Sequence, residues 1–460
     1  MPLGVRVGYG TAEIGIAAVE VLIQVYLLKF YIETVGLEAR LTGLALALAV
    51  IWDAFSDPVM GKISDTSAFR AGRRRVYIMG GAIALGLLFP ILFHPPALDT
   101  QTGKFFFLLG SYILINTAMT ILAVPHTAQG GDLTPDPNER TELFGFRLLA
   151  GNVGFLAGTI LPGIYLALYA SGAEASGSSP NGAAYAWSTY IVGALVILSG
   201  AGTFWATRGH DSPGPAGQSL GHFIRTFFRD ILTTLKNRYF LILLVAYFIA
   251  TIGRTMNASI ALLYYQHFLG LDEKTVALYV LGPFMGFISV SVILWVLVSR
   301  RFGKKIPAII GVAGLGLMTM VAYPNFTHGD LAGPIFAAFL GGLLVGAVIL
   351  LDSLVADIVD YDTLKTRRNR EGLYFGFWRM SSKAARAVGL ALTSFALADI
   401  GYVEGSTEQT AEVARSLSLL FGPGVGILFI IGAVIFAFLP WSTARHERIR
   451  MLLARRIGER

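Results

Sequence analysis

The chain has 460 residues, of which 54% are hydrophobic and only 14% charged, and it contains no cysteine. Soluble domains carry about 25% charged residues, so this composition excludes an ordinary soluble domain and indicates a membrane protein. The missing cysteines exclude disulfides, thiolate metal sites and a cysteine nucleophile, and we interpret the net charge of +7 as a membrane-topology signal rather than a nucleic-acid footprint.

Twelve apolar runs are long enough to cross a bilayer, which needs about 20 helical residues per crossing. They are predicted at about 8–32, 41–63, 76–95, 105–125, 142–169, 184–206, 239–268, 274–299, 305–323, 332–358, 372–399 and 416–440. The predicted fold class is therefore an all-α membrane protein with twelve transmembrane helices.

The first span carries three polar residues inside its apolar run. Glu13, Glu20 and Gln24 are spaced at i, i+7 and i+11, which places them on one face of a helix. Two interpretations of Glu20 stay open: it contacts a substrate, or it forms an interhelical ion pair with Arg254 of the seventh span.

The second span contains the sequence WDAFSDPVMG, in which Asp53 and Asp57 lie four residues apart and therefore on one side of the helix. Ser56 shares that side. A charge near a helix centre costs about 2.5–3.5 kcal/mol on insertion scales, and two neighbouring carboxylates repel each other. We therefore predict that these acids bind a small cation, in preference to the alternative that they pair with a basic residue of a neighbouring helix.

The loops between the spans alternate in charge. Basic residues occur at 70–75, 300–305 and 365–370 and in the tail 445–460, whereas the intervening loops carry few. This asymmetry predicts that both termini lie in the cytoplasm, and we expect a bacterial inner membrane. The segment 208–238 is predicted to be a cytoplasmic linker, with an amphipathic helix in SLGHFIRTFFRDILTTLK.

An internal repeat divides the chain into two halves. GRRRVYIMGG begins at Gly72 and GKKIPAIIGV at Gly303, and FGF occurs at Phe144 and again at Phe375, so both pairs are offset by 231 residues. We predict two pseudo-symmetric six-helix halves, 1–207 and 239–441, followed by a basic tail, 442–460. This is the major facilitator arrangement, which places its substrate site between the halves near the midplane.

The later spans contain further polar residues. Arg254 and Asn257 lie well inside the seventh span, ahead of Tyr264. Asp352 and Arg386 lie on the tenth and eleventh spans, where we favour an ion pair over substrate contact.

Four blocks of the sequence resemble the glycoside–pentoside–hexuronide:cation symporters of the major facilitator superfamily. These blocks are WDAFSDPVMGKISD, YILINTAMTILAVP, LTPDPNERTELFGFR and LVADIVDYDTLKTRRNREGLYFGFWRMSSKAARAVG. The resemblance implies a sodium, lithium or proton site formed by Asp53, Ser56, Asp57 and Thr120, with Lys383 beside it. Ser56 stands where the family's melibiose symporters have asparagine. We favour sodium because a proton has no use for the hydroxyls at 56 and 120, and the proton is the alternative.

The resemblance is weaker at the sugar site. The melibiose symporters hold a galactoside with two aspartates, whose positions here are Ala17 and Ala123, while their sugar-site arginine matches Arg147. The cavity is basic, which favours an anionic substrate such as a hexuronide. A phosphate-headed amphiphile is the alternative, because the lysophosphatidylcholine symporters resemble this family too. The predicted substrate-binding residues are Glu20, Gln24, Arg147, Arg254, Asn257 and Tyr264.

Other acidic and basic residues look like parts of a cytoplasmic gate. Asp65 and Arg73 lie in a stretch, GKISDTSAFRAGRRR, that resembles the loop motif general to major facilitators. Asp357 and Asp360, at the end of the tenth span, are expected to serve a similar gate with Arg140 or with the loop 365–370.

The sequence therefore predicts a cation-coupled symporter of a sugar, glycoside or hexuronide that works by alternating access. A symporter of an amphiphilic, lysophospholipid-like substrate is the alternative, and an uncoupled receptor or scramblase is the competing class. We do not expect an enzyme, because the sequence lacks both HExxH and cysteine. The expected partners are the small-molecule substrate, Na+ or H+ and the bilayer, with no nucleic acid, no cofactor, no bound metal apart from the coupling ion, and a monomeric state.

Overall fold

A computed structural model describes residues 1–67, 69, 72–134, 136–175, 180–209, 233–366, 370–406 and 408–458, and all regular secondary structure within these ranges is helical. The helices in chain order are α1 (Leu3–Leu27, followed by the π-helical turn Phe30–Thr34), α2 (Ala39–Thr66), α3 (Arg75–Leu92), α4 (Gln101–Asp132), α5 (Pro137–Ala175), α6 (Pro180–Ala206), α7 (Arg238–His267), α8 (Glu273–Phe302), α9 (Lys305–Ala322), α10 (Ala332–Thr366), α11 (Glu371–Asp399), α12 (Ala411–Ala437) and α13 (Thr443–Gly458).

The twelve predicted spans correspond to α1–α12, which confirms the predicted fold class. Within the described ranges, eleven of these helices are both long and apolar enough to cross a bilayer. The remaining one, α11, has 29 residues and is long enough, but it carries Arg379, Lys383 and Arg386 within its length. These charges mark α11 as a helix that faces the protein interior or a polar cavity rather than lipid.

Packing follows the two sequence halves. In the first half α1 packs against α5 and α6, and α3 packs against α4 and α6; in the second, α12 packs against α7 and α9. Between the halves, α2 packs against α11 and α5 against α8. The helix pairs α2–α11 and α5–α8 therefore hold the halves together. Most of the predicted linker, including its amphipathic helix, lies outside the described residues.

An even number of crossings brings both ends of the chain to one end of the bundle, which we call the terminal face. The amino group of Met1 pairs there with Glu139 at the start of α5, and His446 of α13 lies 3.0 Å from Asp360 near the end of α10. The loops 35–38, 93–100, 268–272 and 400–410 lie at the other end, which we call the opposite face.

Small residues set how closely the helices of the first half approach. A Cβ atom added to Gly86 of α3 would lie 2.5 Å from the carbonyl oxygen of Gly193 on α6, and one added to Gly193 would lie 2.4 Å from the carbonyl oxygen of Gly86. Both obstructing atoms belong to backbone, which cannot move aside alone. Two glycines are therefore needed at this crossing, as in other close membrane helix pairs.

We expect Gly193→Ala to destabilise the protein by about 1–3 kcal/mol, the usual cost of overpacking, because α3 and α6 must separate to accept the methyl group. Gly80→Ala on α3 is the matched control, since nothing lies within 4 Å of its added Cβ. Thermal unfolding in lipid nanodiscs measures the stability of both variants. An unchanged melting temperature for Gly193→Ala would show that the crossing is not tight.

Candidate functional site

An ion pair between the two halves occupies the centre of the bundle. Lys383 of α11 reaches across to α2, where its Nζ lies 2.6 Å from Asp53 Oδ2 and also contacts Asp57 Oδ2. Asp53 is only 8% exposed. The i, i+4 spacing places both carboxylates on one side of α2, as the sequence predicted. That side faces α11, so the pairing with a basic residue of a neighbouring helix, which the sequence analysis gave as the alternative, is present in this structure.

Two hydroxyl groups complete this cluster. Thr120 Oγ1 of α4 lies 2.8 Å from Asp53 Oδ1 and 2.9 Å from Asp57 Oδ1, so its proton can bond to either carboxylate. Ser56 Oγ lies 3.2 Å from Thr120 Oγ1 and donates to the Asp53 carbonyl at 3.2 Å. The structure thus brings together all four residues of the predicted cation site, and it places Lys383 among them.

The cluster separates two cavities. On the terminal side, Asp57 and Lys383 line a cavity of about 540 Å³ that extends to Asp65 near the end of α2 and to Leu373 near the start of α11. We call it the vestibule, and it opens the cleft between the halves toward the terminal face. On the other side, Asp53 lines a smaller cavity. The ion pair is therefore the partition between the two spaces.

The smaller space, which we call the polar cavity, has a volume of about 60 Å³ and is lined by Glu20, Gln24, Asn116, Ser259 and Arg386 among others. The Ser259 hydroxyl and Arg386 Nε are buried without a hydrogen-bond partner. Unsatisfied buried groups cost about 1–3 kcal/mol each, so these atoms are receptive to a polar ligand.

Glu20 and Arg254 line different cavities, so the ion pair considered between them is not observed: within the described residues, no bridge of 4 Å or less joins the two. Glu20 faces the polar cavity with Arg386. Arg254 and Asn257 instead line a third cavity of about 240 Å³, to which Gln24 also contributes. Asp352, the other acid expected to pair with a base, accepts a hydrogen bond from Trp378 Nε1 at 2.7 Å.

Arg147 is already engaged by a carboxylate of its own half. Its Nε and Nη2 lie 2.7 and 3.2 Å from the two oxygens of Glu13 on α1, a bidentate pair. His126 of α4 packs against the same carboxylate, with Nδ1 3.4 Å from Glu13 Oε2. An anionic ligand would therefore have to compete with Glu13 for Arg147.

Tyr264 does not line any cavity described here, which corrects the prediction that it contacts substrate. It is 0% exposed, its hydroxyl donates to the Tyr323 carbonyl at 2.6 Å, and its ring stacks on Phe421 at 4.6 Å. The reason is position along the helix: Arg254 and Asn257 line the cavity, whereas Tyr264 lies about two turns further on, where Tyr323 and Phe421 cover its ring.

The predicted gate residues form ion pairs at the terminal face, with partners that partly differ from those expected. The Asp65 carboxylate pairs with Arg74 at 2.6 Å, while Arg73 donates to the Asp65 carbonyl at 3.2 Å. Asp357 pairs with Lys304 at 2.6 Å, and Asp360 lies 3.0 Å from His446. The side chain of Arg140 and residues 367–369 lie outside the described part of the chain.

A second charged cluster, which sequence reasoning missed, joins the halves at the opposite face. We call it the latch, and it consists of Lys29, Glu33, Tyr185, His267, Glu273 and Tyr402. Lys29, just after α1, is 1% exposed, and its Nζ lies 2.7 Å from Glu33 and 2.9 Å from Glu273 at the start of α8. The i, i+4 pairing of Lys29 and Glu33 at the end of an apolar run was the available signal.

The latch closes this end of the cleft because it ties α6 and the chain just after α1, in the first half, to α7, α8 and the loop after α11, in the second. Glu33 Oε1 lies 2.7 Å from His267 Nε2 and accepts from the Tyr402 hydroxyl at 2.8 Å, while Tyr185 donates to Glu273 at 2.7 Å. Burial, together with the nearby Glu33 carboxylate, raises the pKa of Tyr402, which keeps this phenol protonated as a donor.

Comparisons with known proteins agree with this architecture. Residues 8–442 match the profile of a family described as MFS/sugar transport protein. The isoprimeverose transporter of Lactiplantibacillus pentosus is 25% identical in sequence, over 95% of this chain and 88% of the transporter's length. The sodium-dependent lysophosphatidylcholine symporter 1-A of Danio rerio is 23% identical over 92% of this chain and 82% of its own.

Solved structures show the same fold. The crystal structure of a bacterial homologue of the human lysosomal transporter Spinster, in an inward-facing and occupied conformation, superposes with a TM-score of 0.67. The superposition covers 96% of this chain and 98% of the homologue's chain at 14% sequence identity, so the similarity is one of fold.

We expect Lys29→Met to destabilise the protein by about 3–5 kcal/mol, because it leaves Glu33 and Glu273 buried without their cation. Arg40→Met is the matched control: Arg40 pairs with Asp399 at the same face, but both side chains are more than half exposed, so about 0–1 kcal/mol is expected. Thermal unfolding in nanodiscs measures both. Equal losses of stability in Lys29→Met and Arg40→Met would contradict the conclusion that the latch is buried.

Proposed function

The chain belongs to the MFS/sugar transport protein family, and from that premise we propose that it is a sodium-coupled symporter of a sugar, glycoside or hexuronide. It is a membrane transporter of the major facilitator type, as are its relatives. The coupling ion and the class of substrate are the proposal, and they are argued from the central cluster and the cavities on either side of it.

The position of Lys383 is the observation that carries the proposal. Two carboxylates and two hydroxyls converge on one point, and a side-chain ammonium from the other half lies among them. Oxygen-rich, anionic sites of this kind suit hard cations. An ammonium and a sodium ion carry the same charge, so either can neutralise one of the two carboxylates, but both cannot occupy the same point.

Sodium and Lys383 therefore compete for Asp53 and Asp57. An ion arriving through the vestibule meets Asp57 first, because that carboxylate lines the vestibule while Asp53 lines the polar cavity. Displacing the ammonium releases α11 from the acids of α2 and removes the partition between the two spaces. Ion binding in one half thereby changes how that half is held to the other, which is what coupling requires.

Alternating access then needs the latch to break while the vestibule closes. The vestibule opens at the terminal face, and the positive charge of the loops there supports a cytoplasmic position for that face. The state described is thus open to the cytoplasm and closed outside. Its opposite would separate Lys29 from Glu273 and join the halves at the cytoplasmic end.

The substrate is proposed to bind beside the cation site, across the polar cavity and the adjoining cavity of about 240 Å³ that shares Gln24 with it, because about 60 Å³ alone is too small for a sugar ring. Glu20, Gln24 and Arg386 offer both acceptors and donors there, and Arg386 Nε lacks a partner. Because Glu13 already neutralises Arg147, the arginines best placed to meet an anionic group are Arg386 and Arg254. A hexuronide carboxylate suits Arg386, since guanidinium binds carboxylate in a planar, bidentate fashion.

We expect sodium, added at constant ionic strength against choline, to raise the melting temperature of the wild type and to have no such effect on Asp53→Asn or Asp57→Asn. In Lys383→Met the sodium concentration that gives half of the full rise in melting temperature should fall about tenfold or more. The reason is that the variant removes the positive charge that opposes sodium binding, and a unit charge about 4 Å away contributes about 4 kcal/mol at an effective dielectric constant of about 20. Lys304→Met is the control, since Lys304 pairs with Asp357 instead. An unchanged midpoint in Lys383→Met would contradict the competition.

Substrate uptake into proteoliposomes distinguishes sodium from proton coupling. We expect replacement of sodium by choline at fixed pH to abolish accumulation, and Thr120→Ala to reproduce most of that loss, because its hydroxyl contacts both carboxylates. Full uptake in choline that increases as external pH falls would instead establish the proton as the coupling ion.

A further inference from the structure

The latch at the opposite face contains two carboxylates but only one permanent cation within the described residues. Lys29 Nζ lies 2.7 Å from Glu33 and 2.9 Å from Glu273, and the two carboxylate side chains are 13% and 3% exposed. In the described part of the chain, no other lysine or arginine lies within 4 Å of either carboxylate. Lys29 therefore balances one of the two negative charges, and the other lies in a buried place where an unpaired charge is costly.

His267, at the end of α7, is placed to supply the missing positive charge. Its side chain is 2% exposed, and its Nε2 lies 2.7 Å from Glu33 Oε1. Because an ionised carboxylate only accepts hydrogen bonds, Nε2 carries a hydrogen in both charge states of the ring, and a further proton binds at Nδ1. Histidine is the side chain that takes up such a proton between about pH 5 and 8.

The neighbouring carboxyl groups are bonded in ways that favour a proton on the ring. Burial would raise the pKa of Glu33, but the Lys29 ammonium and the hydrogen bond from His267 outweigh it and lower that pKa to about 2, so Glu33 stays ionised. Glu273 Oε2 accepts hydrogen bonds from both Lys29 and Tyr185. Glu273 Oε1 is buried without a hydrogen-bond partner and is a competing place for the proton, which the test distinguishes.

Other basic groups at this face do not pair with the latch carboxylates in the part of the chain that the structure describes. Lys104 donates to a backbone carbonyl at 3.2 Å, and Arg40 pairs with Asp399. Lys274 and His328 are exposed. The remaining titratable groups around the latch are acids and phenols, which add no positive charge: Tyr26 of α1, Tyr185 of α6, Asp272 before α8, and Tyr402 and Glu404 after α11.

Opening of the latch divides its charges between the halves. Lys29 and Glu33 remain together in the first half as a neutral i, i+4 pair. His267 and Glu273 belong to the second half and meet water once the halves separate there, and a histidine in water loses its proton at about pH 6.5. The closed latch therefore holds a proton that the open latch releases at higher pH.

We propose that the latch is a proton-binding site: it closes with one proton on His267, taken from the medium at the opposite face, and returns that proton to the same side when it opens. The proton does not cross the membrane, so this site controls the conformational cycle and is distinct from the coupling site at Asp53 and Asp57. Acid at the opposite face favours the closed latch, and alkali favours opening. The inference rests on alternating access, and it is independent of the coupling ion and the substrate.

A thiol reporter behind the latch measures how often the latch opens. The chain has no cysteine, so Ser259→Cys introduces a single thiol into the polar cavity, at a position that is 1% exposed. A membrane-impermeant maleimide is added to vesicles whose opposite face is outward, with choline in place of sodium, no substrate and a fixed internal pH. The labelling rate is measured over a series of external pH values, with and without His267→Gln. The ratio of the two rates cancels the pH dependence of the thiol itself.

We expect the labelling rate with His267, divided by the rate with His267→Gln, to rise about three- to tenfold per unit of external pH between about pH 6.5 and 8, since one proton leaves at each opening. Glutamine keeps an N–H donor for Glu33 but binds no proton. Glu273→Gln should weaken the pH dependence as well, because Lys29 then balances the carboxylate that remains. His94→Gln is the matched control: His94 is exposed at the same face, and its loss should leave the pH dependence unchanged.

Thermal unfolding in nanodiscs tests the same proton without requiring the latch to open. The stability that this proton contributes is fully present below about pH 6.5, where histidine of the unfolded chain is also protonated, and it is lost as pH rises. The melting temperature of the wild type minus that of His267→Gln, measured in choline, should therefore decrease between about pH 6.5 and 8.5.

Two results would overturn the inference: a ratio of labelling rates that does not vary with external pH, or a melting-temperature difference that does not vary with pH. The first result would also arise if Glu273 holds the proton, because His267→Gln would then keep the full pH dependence. If the thiol is not labelled at any pH, the melting temperatures alone decide. Neither measurement uses sodium or substrate, so failure here leaves the proposed symport function intact, and failure of sodium to stabilise the wild type leaves this inference intact.

Discussion

A buried charge in a membrane protein needs an opposite charge nearby, and this requirement determines where the two halves of the molecule are held together. Asp53 and Asp57 cannot both be ionised on α2 without a cation, and the cation present belongs to α11 in the other half. Glu33 and Glu273 impose the same demand at the opposite face, where Lys29 meets it. At both places the halves are therefore held together by ion pairs that apolar side chains surround. Breaking either set of ion pairs leaves a buried charge without a partner, which is costly unless another charge takes the place of the one removed.

The sequence predicted the parts of this arrangement that depend on local periodicity. Twelve spans follow from apolar runs of sufficient length, and the shared face of Asp53 and Asp57 follows from their i, i+4 spacing. Thr120 and Lys383 lie far from these acids in sequence, and only the family resemblance associated them with the site. Periodicity identifies a helix face but does not say which helix lies against it.

The errors have the same origin. Tyr264 follows Arg254 and Asn257 in an apolar run, which predicts a ligand contact, yet Tyr323 and Phe421 cover it. The sequence also leaves open whether Glu20 pairs with Arg254, and the structure places the two side chains in different cavities. The latch was missed because Glu273 lies just ahead of the predicted eighth span, 274–299, and its pairing with Lys29 spans 244 residues. Such contacts are set by the assembly of the two halves, which no local pattern encodes.

The tethered ammonium has a consequence for how membrane voltage acts on the carrier. Two carboxylates with Lys383 carry one net negative charge. In the proposed exchange the displaced ammonium stays tethered to α11 beside the site, so the binding of one sodium ion brings the total charge of the region to zero. The membrane voltage therefore does no work when the cluster moves across the membrane with sodium bound. The empty cluster carries one negative charge, and a full crossing of that charge is worth about 2.3 kcal/mol per 100 mV. With sodium as the coupling ion, a negative interior drives the empty site outward, so the electrical part of the driving force acts on the return step of the cycle rather than on delivery of the substrate.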